Sequence, residues 1–433
     1  MAAPIRTASI DEARAHRLAG SAALHARARD VVPDGVTHDG RYMEPFPLYC
    51  THGSGPRKWD VDGNEYVDYF GGHGALLLGH SHPAIVEAIT RQAALGTHLG
   101  ACHEAEVRWG ELVQELVPSA RGGLVKFTSS GTEATMLAMR LARAHTGKDV
   151  ICKMQGHFHG WHDYATLAMQ PPYDEPIAAG VPRGVRDSMV SVPARDIEAL
   201  RALLDQRDDI AGVIMVADGA GKPYLQAVRD LTTERGIVFI LDEVVTGFRY
   251  APGGAQEYYG VTPDLTTLAK ILAGGLPGGA IAGRADIMAR FLQRDDPEWT
   301  RHQRVPHPGT YNSNPLSAAA GVACLEIVRD PAVQRRAIAT ADQLREGFRA
   351  ALARRGVSGQ VGGEVSLAPV SFNEPKIPQR KLIHRFRAAM QLGGVDSSGF
   401  NFIVSATHGP AEVEQTVAAL DDALGMLQAE GTL

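Results

Sequence analysis

A run of four apolar residues, Val238 to Leu241, ends in Asp242 and is followed by Glu243, Val244 and Val245. Further along, the apolar stretch Leu265–Leu268 leads through Ala269 to Lys270, and a Gly-rich turn reaching Gly279 follows. The first stretch predicts a buried strand ending in an acid, the second a short apolar element ending in an amine. An amine and an acid at the ends of neighbouring strands are what a pyridoxal phosphate site requires. The amine forms a Schiff base, and the acid keeps the pyridine nitrogen protonated so that the ring accepts electrons. Partial burial among apolar residues and glycines lowers a lysine's pKa, as an imine-forming amine needs. Two plainer readings stay open at this point: Lys270 snorkelling at a helix start, and Asp242 capping a helix or joining Glu243 at a metal. No His/Asp cluster at ligand spacing accompanies the acid pair.

Three further segments carry compatible chemistry. Ser129-Ser130-Gly131-Thr132-Glu133 lies between an expected strand and an expected helix. Free backbone N–H groups and the positive end of a helix dipole there would hold a phosphate. Alone, the segment is more simply an N-cap. Gly156-His157-Phe158-His159-Gly160-Trp161-His162-Asp163 follows another expected strand. An aromatic at that strand end would stack on a flat ring, with His159 as a hydrogen-bonding neighbour. The three histidines do not fit the usual helical zinc spacings. Gly309-Thr310-Tyr311-Asn312-Ser313-Asn314-Pro315 precedes a helix, with Thr310 able to donate to a phosphate and Pro315 suited to the first turn.

The elements that must position these residues follow from periodicity. Helical spacing predicts a helix over 9–31, stopped by Pro33-Asp34-Gly35. Residues 46–70 read as short strands, with Asp62-Gly63-Asn64 as a hairpin turn. From about residue 104 helices and strands alternate: strands at Leu124–Phe127, Val150–Met154, Ala211–Val216 and Val238–Asp242, separated by helices. That alternation predicts an α/β fold with a mostly parallel central sheet and helices on both faces. The tail changes pattern, with helices at 332–354, 378–392 and 410–429, which places a boundary near 320–330. The expected organisation is an N-terminal segment, 1–70, contributing to a smaller α+β domain; a large domain, 71–325; and a C-terminal part of the small domain, 326–433.

Bulk properties narrow the class. The 433 residues carry a formal net charge of −6 and no Lys/Arg run, which argues against nucleic acid as a partner. Cys50, Cys102, Cys152 and Cys324 are scattered, as expected of reduced thiols in a cytoplasmic protein. The first thirty residues contain no apolar leader core, and no stretch approaches the ~20 apolar residues of a membrane span.

Taken in order, the phosphate loop, aromatic, strand-end Asp, Lys before glycines and Gly-Thr before a helix resemble the class III pyridoxal phosphate aminotransferases of fold type I. Pro33-Asp34-Gly35-Val36-Thr37, Phe70-Gly71-Gly72-His73-Gly74-Ala75-Leu76, Gly160-Trp161-His162-Asp163 and Leu268-Ala269-Lys270 resemble the glutamate-1-semialdehyde aminomutase branch, and within it the D-phenylglycine aminotransferases. The resemblance spans roughly residues 30–430. It implies a homodimer with shared active sites, a small-molecule amino donor and a 2-oxo acid acceptor. It makes Lys270 the Schiff-base lysine and Asp242 the pyridinium partner. Val244 would pack on the ring face opposite Phe158. Ser130, Gly131 and Thr132 would hold the phosphate, Thr310 would reach the phosphate of the neighbouring subunit, and Arg41 would take a substrate carboxylate. The same resemblance admits an aminomutase, a racemase or a lyase. Two positions depart from the family pattern. Phe158 stands where Tyr is usual, and Val216 stands where a Glu precedes Pro, with a shortened loop after it and Asp218 as the nearest acid.

Overall fold

Ser9 starts the chain's first helix through a reciprocal cap. Its Oγ accepts from the Glu12 amide at 3.3 Å and its own amide donates to the Glu12 carboxylate at 2.9 Å. In the computed structural model, residues 9–175, 178–217 and 219–433 are described. Residues up to His82 join Ala332–Leu433 in one unit, and Pro83–Pro331 form the other.

The single helix expected over 9–31 is two, Ile10–Arg17 and Ala19–Arg29, broken at buried Leu18 (φ −122°, ψ 39°). The second start is capped from a distance: the Asp62 carboxylate accepts from the Gly20 and Ser21 amides at 2.5 and 3.0 Å. Local periodicity carries no trace of such a cap. Strands β1 (Cys50–Ser54), β2 (Arg57–Asp60) and β3 (Glu65–Asp68) pair antiparallel, with Asp62-Gly63-Asn64 turning between β2 and β3. Asp60 Oδ1 fixes that turn by accepting from the Asp62 and Asn64 amides.

The second unit holds a seven-stranded sheet: β4 (Leu124–Thr128), β5 (Val150–Met154), β6 (Met189–Val192), β7 (Ile210–Val216), β8 (Val238–Asp242), β9 (Leu265–Ala269) and β10 (Gly279–Gly283). Its order is β4-β10-β9-β8-β7-β5-β6, and only β10 runs against the rest. The helix Gly131–Thr146 packs Ala134, Leu137, Ala138 and Leu141 on one face, against Ile151, Ile214, Ile240 and Ile281. The helix Gly221–Glu234 lies on the other face, where Arg229 sits over the Phe239 ring. β6 and β10 had no clear signal in the sequence. β10 is Gly-Ala-Ile-Ala-Gly, short and without β-branched alternation, and its strand state is set by its two neighbours.

The chain then returns to the first unit with β11 (Gly359–Val361), β12 (Val370–Phe372) and β13 (Val395–Asp396), which adds to β3 in parallel. Helices Ala332–Arg355, Gln379–Leu392 and Pro410–Ala429 close its core over Leu344, Phe348, Phe386, Phe402, Leu420 and Leu424. At the β2–β3–β13 edge a buried charge network forms. Lys58 Nζ binds Asp68 at 2.9 Å and Asp396 at 2.6 Å, and His80 Nε2 binds Asp68 at 2.6 Å.

Candidate active site

Parallel strands end together, and the register makes one row of Val216, Asp242 and Thr267 on β7, β8 and β9. Ligands of α/β sheets bind beyond such carboxyl ends. Two residues past Leu268, the chain leaves β9 at Lys270, whose φ of 56° lies in the left-handed region that a non-glycine residue adopts only under constraint. The constraint is visible. Trp109, stacked on Phe127, donates Nε1–H to the Leu272 carbonyl at 3.0 Å, and Ser317 donates to the Pro277 carbonyl. These bonds pin the turn that follows Lys270. Burial, together with the Arg249 guanidinium, pushes the Lys270 amine down to about 8, while Asp242 pulls it the other way. A usefully unprotonated amine therefore exists near neutral pH.

Asp242 is 3% exposed. Its Oδ1 accepts from Thr267 Oγ1 at 3.0 Å and from the Val244 amide at 3.1 Å, and Oδ2 meets His159 Nδ1 at 2.7 Å. A carboxylate can only accept, so Nδ1 carries the His159 proton. His159 Nε2 is buried and finds no partner among the described residues, and burial pushes the ring's pKa down despite Asp242. His159 is thus a neutral donor that orients Asp242 and leaves its charge uncancelled. Oδ1 accepts two bonds and Oδ2 one, so a lone pair remains on Oδ2 for one further N–H donor.

Glu243 does not join Asp242. It faces away and accepts from the Ala255 and Gln256 amides, Gln256 Nε2 and Thr246 Oγ1, at 2.7–3.0 Å. It caps the helix Gly254–Tyr259, which removes the acid-pair metal reading. Among the described residues no three His, Cys, Asp or Glu side chains gather as a metal site. The three histidines diverge likewise. His157 Nδ1 accepts from the Val216 amide at 3.2 Å, His159 meets Asp242, and His162 Nε2 meets Thr135 Oγ1 at 3.2 Å.

The plain N-cap reading of Ser130 holds: its Oγ accepts from the Glu133 amide at 3.2 Å. Its O–H is still able to donate, and the first amides of this 16-residue helix point out of its N-terminus. Gly131 is a steric necessity there, because a Cβ would stand 2.9 Å from Val244 Cγ2 and 3.3 Å from Ala269 Cβ. Gly160 (φ +101°) likewise lies against Thr132, where a Cβ would meet Oγ1 at 2.6 Å. Ser130, Gly131, Thr132, Val244, His159, Asp242 and the β9 end are therefore one cluster. Donors at a helix start, a buried carboxylate with one lone pair to spare and an amine near 8 fit a phosphorylated pyridine aldehyde.

Phe158 is 59% exposed on the same loop as His159, and Trp161 is 79% exposed. Thr310 stands exposed elsewhere in this unit. Its carbonyl is held by His98 Nε2 at 2.9 Å, while His103 Nε2 holds the Ser313 carbonyl and Asn314 Nδ2 the Thr97 carbonyl, each at 2.9 Å. None of the hydrogen bonds described links it to Lys270 or Ser130. Arg41 belongs to the other unit, exposed in the turn Asp39–Arg41, with Nη1 donating to Thr37 Oγ1 at 3.0 Å. Asp218 lies outside the described residues. Trp109 and Arg249 bear on the Lys270 turn and amine without having been legible in sequence, because each acts on residues far along the chain.

The family model for class III aminotransferases matches residues 40–395. The chain is 37% identical over 425 residues to glutamate-1-semialdehyde 2,1-aminomutase of Methanothermobacter thermautotrophicus, covering 94% of this chain and 99% of that one. Among solved structures it is similar to an omega-transaminase from Sphaerobacter thermophilus, with a TM-score of 0.87, 35% identity and coverage of 94% and 98%. It is also similar to a transaminase with PLP bound, with a TM-score of 0.88, 32% identity and coverage of 96% and 99%.

Proposed function

We propose, for a chain that belongs to the class III aminotransferases, that it moves an amino group between an apolar or aromatic amino acid and a 2-oxo acid. Its cofactor is pyridoxal phosphate and its fold is type I of that enzyme class. When bound, the cofactor supplies an aldehyde that condenses with amines and a ring that accepts the electron pair left by a departing proton.

The observation that carries the reading is the partly buried Lys270 amine, near 8, within the electrostatic influence of the oriented Asp242 carboxylate. Lys270 is the amine for the aldehyde and then the base that takes the amino acid's Cα proton. Asp242, held by His159 and Thr267, keeps a proton on the ring nitrogen. Ser130, Gly131 and Thr132 hold the phosphate at the helix start, and Val244 and Phe158 take opposite faces of the ring. Arg41 takes the substrate carboxylate, for which a guanidinium fork is suited. Exposed Trp161, on the same loop as Phe158, supports an aromatic side chain in the substrate, with D-phenylglycine among the candidates.

A homodimer completes the reading, with Thr310 serving the partner's phosphate and the protein acting in the cytoplasm. Its support is apolar surface in the second unit, where Val86, Leu95, Leu99 and Val107 are 46–71% exposed. Among the described residues no helix is long and apolar enough to cross a membrane.

The aminomutase relative favours a second reading, in which the nitrogen returns to the same carbon skeleton. Half-reactions with D- and L-phenylglycine, other amino acids and ω-amines, followed at the absorbance of the bound cofactor, separate the two. Transamination predicts oxo acid release and a requirement for an acceptor. Product formed with no acceptor establishes the isomerase. Ammonia release would make the enzyme a lyase, and no spectral change with any amine refutes all three.

A further inference from the structure

Lys153 stands in β5 with no exposed surface. Strand register puts it in one row with Ile214, Ile240 and Leu265, otherwise aliphatic and facing the helix Gly131–Thr146. Among the described residues no carboxylate pairs with it. A buried ammonium in such a row is costly unless its protons are taken up. Two of them are: Nζ donates to the Ala165 carbonyl at 2.9 Å and to the Leu167 carbonyl at 2.7 Å. Burial still pushes the amine down to about 8.

Both carbonyls belong to the far end of the segment that leaves β5 just after Lys153. The Gly156 amide donates to the Ala168 carbonyl at 2.9 Å, so 156–168 is a loop whose two ends meet beside the strand. Its tip is tied elsewhere. Thr135 Oγ1, in the first turns of the helix Gly131–Thr146, donates to the His159 carbonyl and meets His162 Nε2. The tip carries Phe158 and His159, and His159 meets Asp242. The tip of the loop is thus set by the phosphate-side helix, and its far end by the Gly156–Ala168 bond together with the two bonds from Lys153.

We propose that Lys153 is a positioning residue: its ammonium closes the 156–168 loop onto β5 and so fixes where Phe158 stands and how His159 meets Asp242. The inference rests on the reading of Phe158, His159 and Asp242 as cofactor residues. Lys153 touches neither cofactor nor substrate.

Global stability is a poor probe, because removing Lys153 relieves a buried charge while stranding two carbonyls. The full-length chain is therefore compared by hydrogen exchange without cofactor and by titration with pyridoxal phosphate. Lys153→Met removes both donors at similar length, Lys153→Gln keeps some donor capacity, and Lys153→Arg keeps charge and donors. In the Met variant the amides of 156–168 should exchange at least tenfold faster, with β8 and β9 amides unchanged. Gln should loosen the loop less and Arg should restore it. Gln decides the matter if Met does not fold. With cofactor, the Met variant should bind at least tenfold more weakly and show altered visible circular dichroism of the bound ring. Unchanged loop exchange overturns the clamp. A loosened loop with unchanged affinity and dichroism overturns its link to the site. Failure of the unsubstituted chain to bind pyridoxal phosphate overturns the site assignment itself, and the cofactor-free exchange then decides the clamp alone.

Discussion

Lys270→Met should make the cofactor-free protein more stable at neutral pH, although it removes the central amine of the site. The Lys270 amine is moved from 10.5 to about 8, chiefly by burial, which corresponds to about 3 kcal/mol of disfavoured charge. Methionine keeps most of the side chain's length and, like lysine, is not glycine, so the cost of φ 56° is common to both. Below pH 8 native and unfolded chains both carry the proton, and the native state bears the whole penalty. Between about 8 and 10.5 the unfolded chain still holds a proton that the native chain has lost, so wild-type stability rises with pH through that window. The gain from Lys270→Met is therefore up to about 3 kcal/mol at pH 7 and shrinks as pH approaches 10.5. Urea denaturation followed by circular dichroism at pH 7 and pH 10 measures it. The cofactor must be removed first, since it binds the folded state and stabilises the lysine form more, through the added covalent link. Equal or lower stability of the variant at pH 7, or the same gain at both pH values, refutes the reasoning. The same shift has a chemical consequence. At pH 7.5 about a quarter of a lysine at 8 is neutral, against about one in a thousand at 10.5.

Asp242→Asn should retain the cofactor but slow the half-reaction by about 10²- to 10⁴-fold, because an amide cannot hold the ring-nitrogen proton. It should also move the midpoint of Lys270 acylation in the cofactor-free protein below 8, since the carboxylate now holds that amine up. Gly131→Ala forces a methyl against Val244 and Ala269, an overpacking that costs about 1–3 kcal/mol. It should appear as weaker pyridoxal phosphate binding in equilibrium titration, with kcat at saturation changed less. Lys58→Met strands Asp68 and Asp396 and should destabilise the first unit by about 3–5 kcal/mol in urea at pH 7. Burial pushes both acids up, but Lys58 and their other partners hold them below the usual carboxylate range. In the wild type that stability is present above about pH 4 and is lost only as pH falls through the lowered values. In the variant acid sensitivity should begin nearer neutral pH.

The parts of the fold legible in sequence are those where a local pattern and a tertiary role coincide. Val238–Asp242 is apolar because both faces of a central parallel strand are covered, so its limits agree with the structure residue for residue. The helix ending at Thr146 and the hairpin at Asp62-Gly63-Asn64 were likewise written locally, through apolar spacing and turn chemistry. Long-range partners had no such signature. The break at Leu18 is made by Asp62, β10 by its neighbours, and the turn after Lys270 by Trp109 and Ser317. The acid pair shows the difference most directly. Adjacent in sequence, Asp242 ends β8 and Glu243 follows it, and only the hydrogen bonds distinguish the carboxylate in the row from the one that caps a helix.

Val216 acquires meaning by the same route. The family resemblance leads to the expectation of an acid there; in the sheet Val216 is the direct neighbour of Asp242, on the same face and in the same row. Adjacent strands lie ~4.8 Å apart, so a glutamate at this position would bring a second carboxylate close to the first. Two such charges disfavour each other's ionisation, which would weaken the hold of Asp242 on a ring proton unless a cation stood between them. Valine removes that conflict, and the row keeps its charge at Asp242, oriented by a neutral His159. The backbone at this point is engaged as well: the Val216 amide binds His157, on the loop that carries Phe158 and His159. With valine here, the polar partners of Asp242 among the described residues are His159, Thr267 and the Val244 amide. An apolar side chain at this position of the row is one support for the apolar or aromatic substrate proposed above.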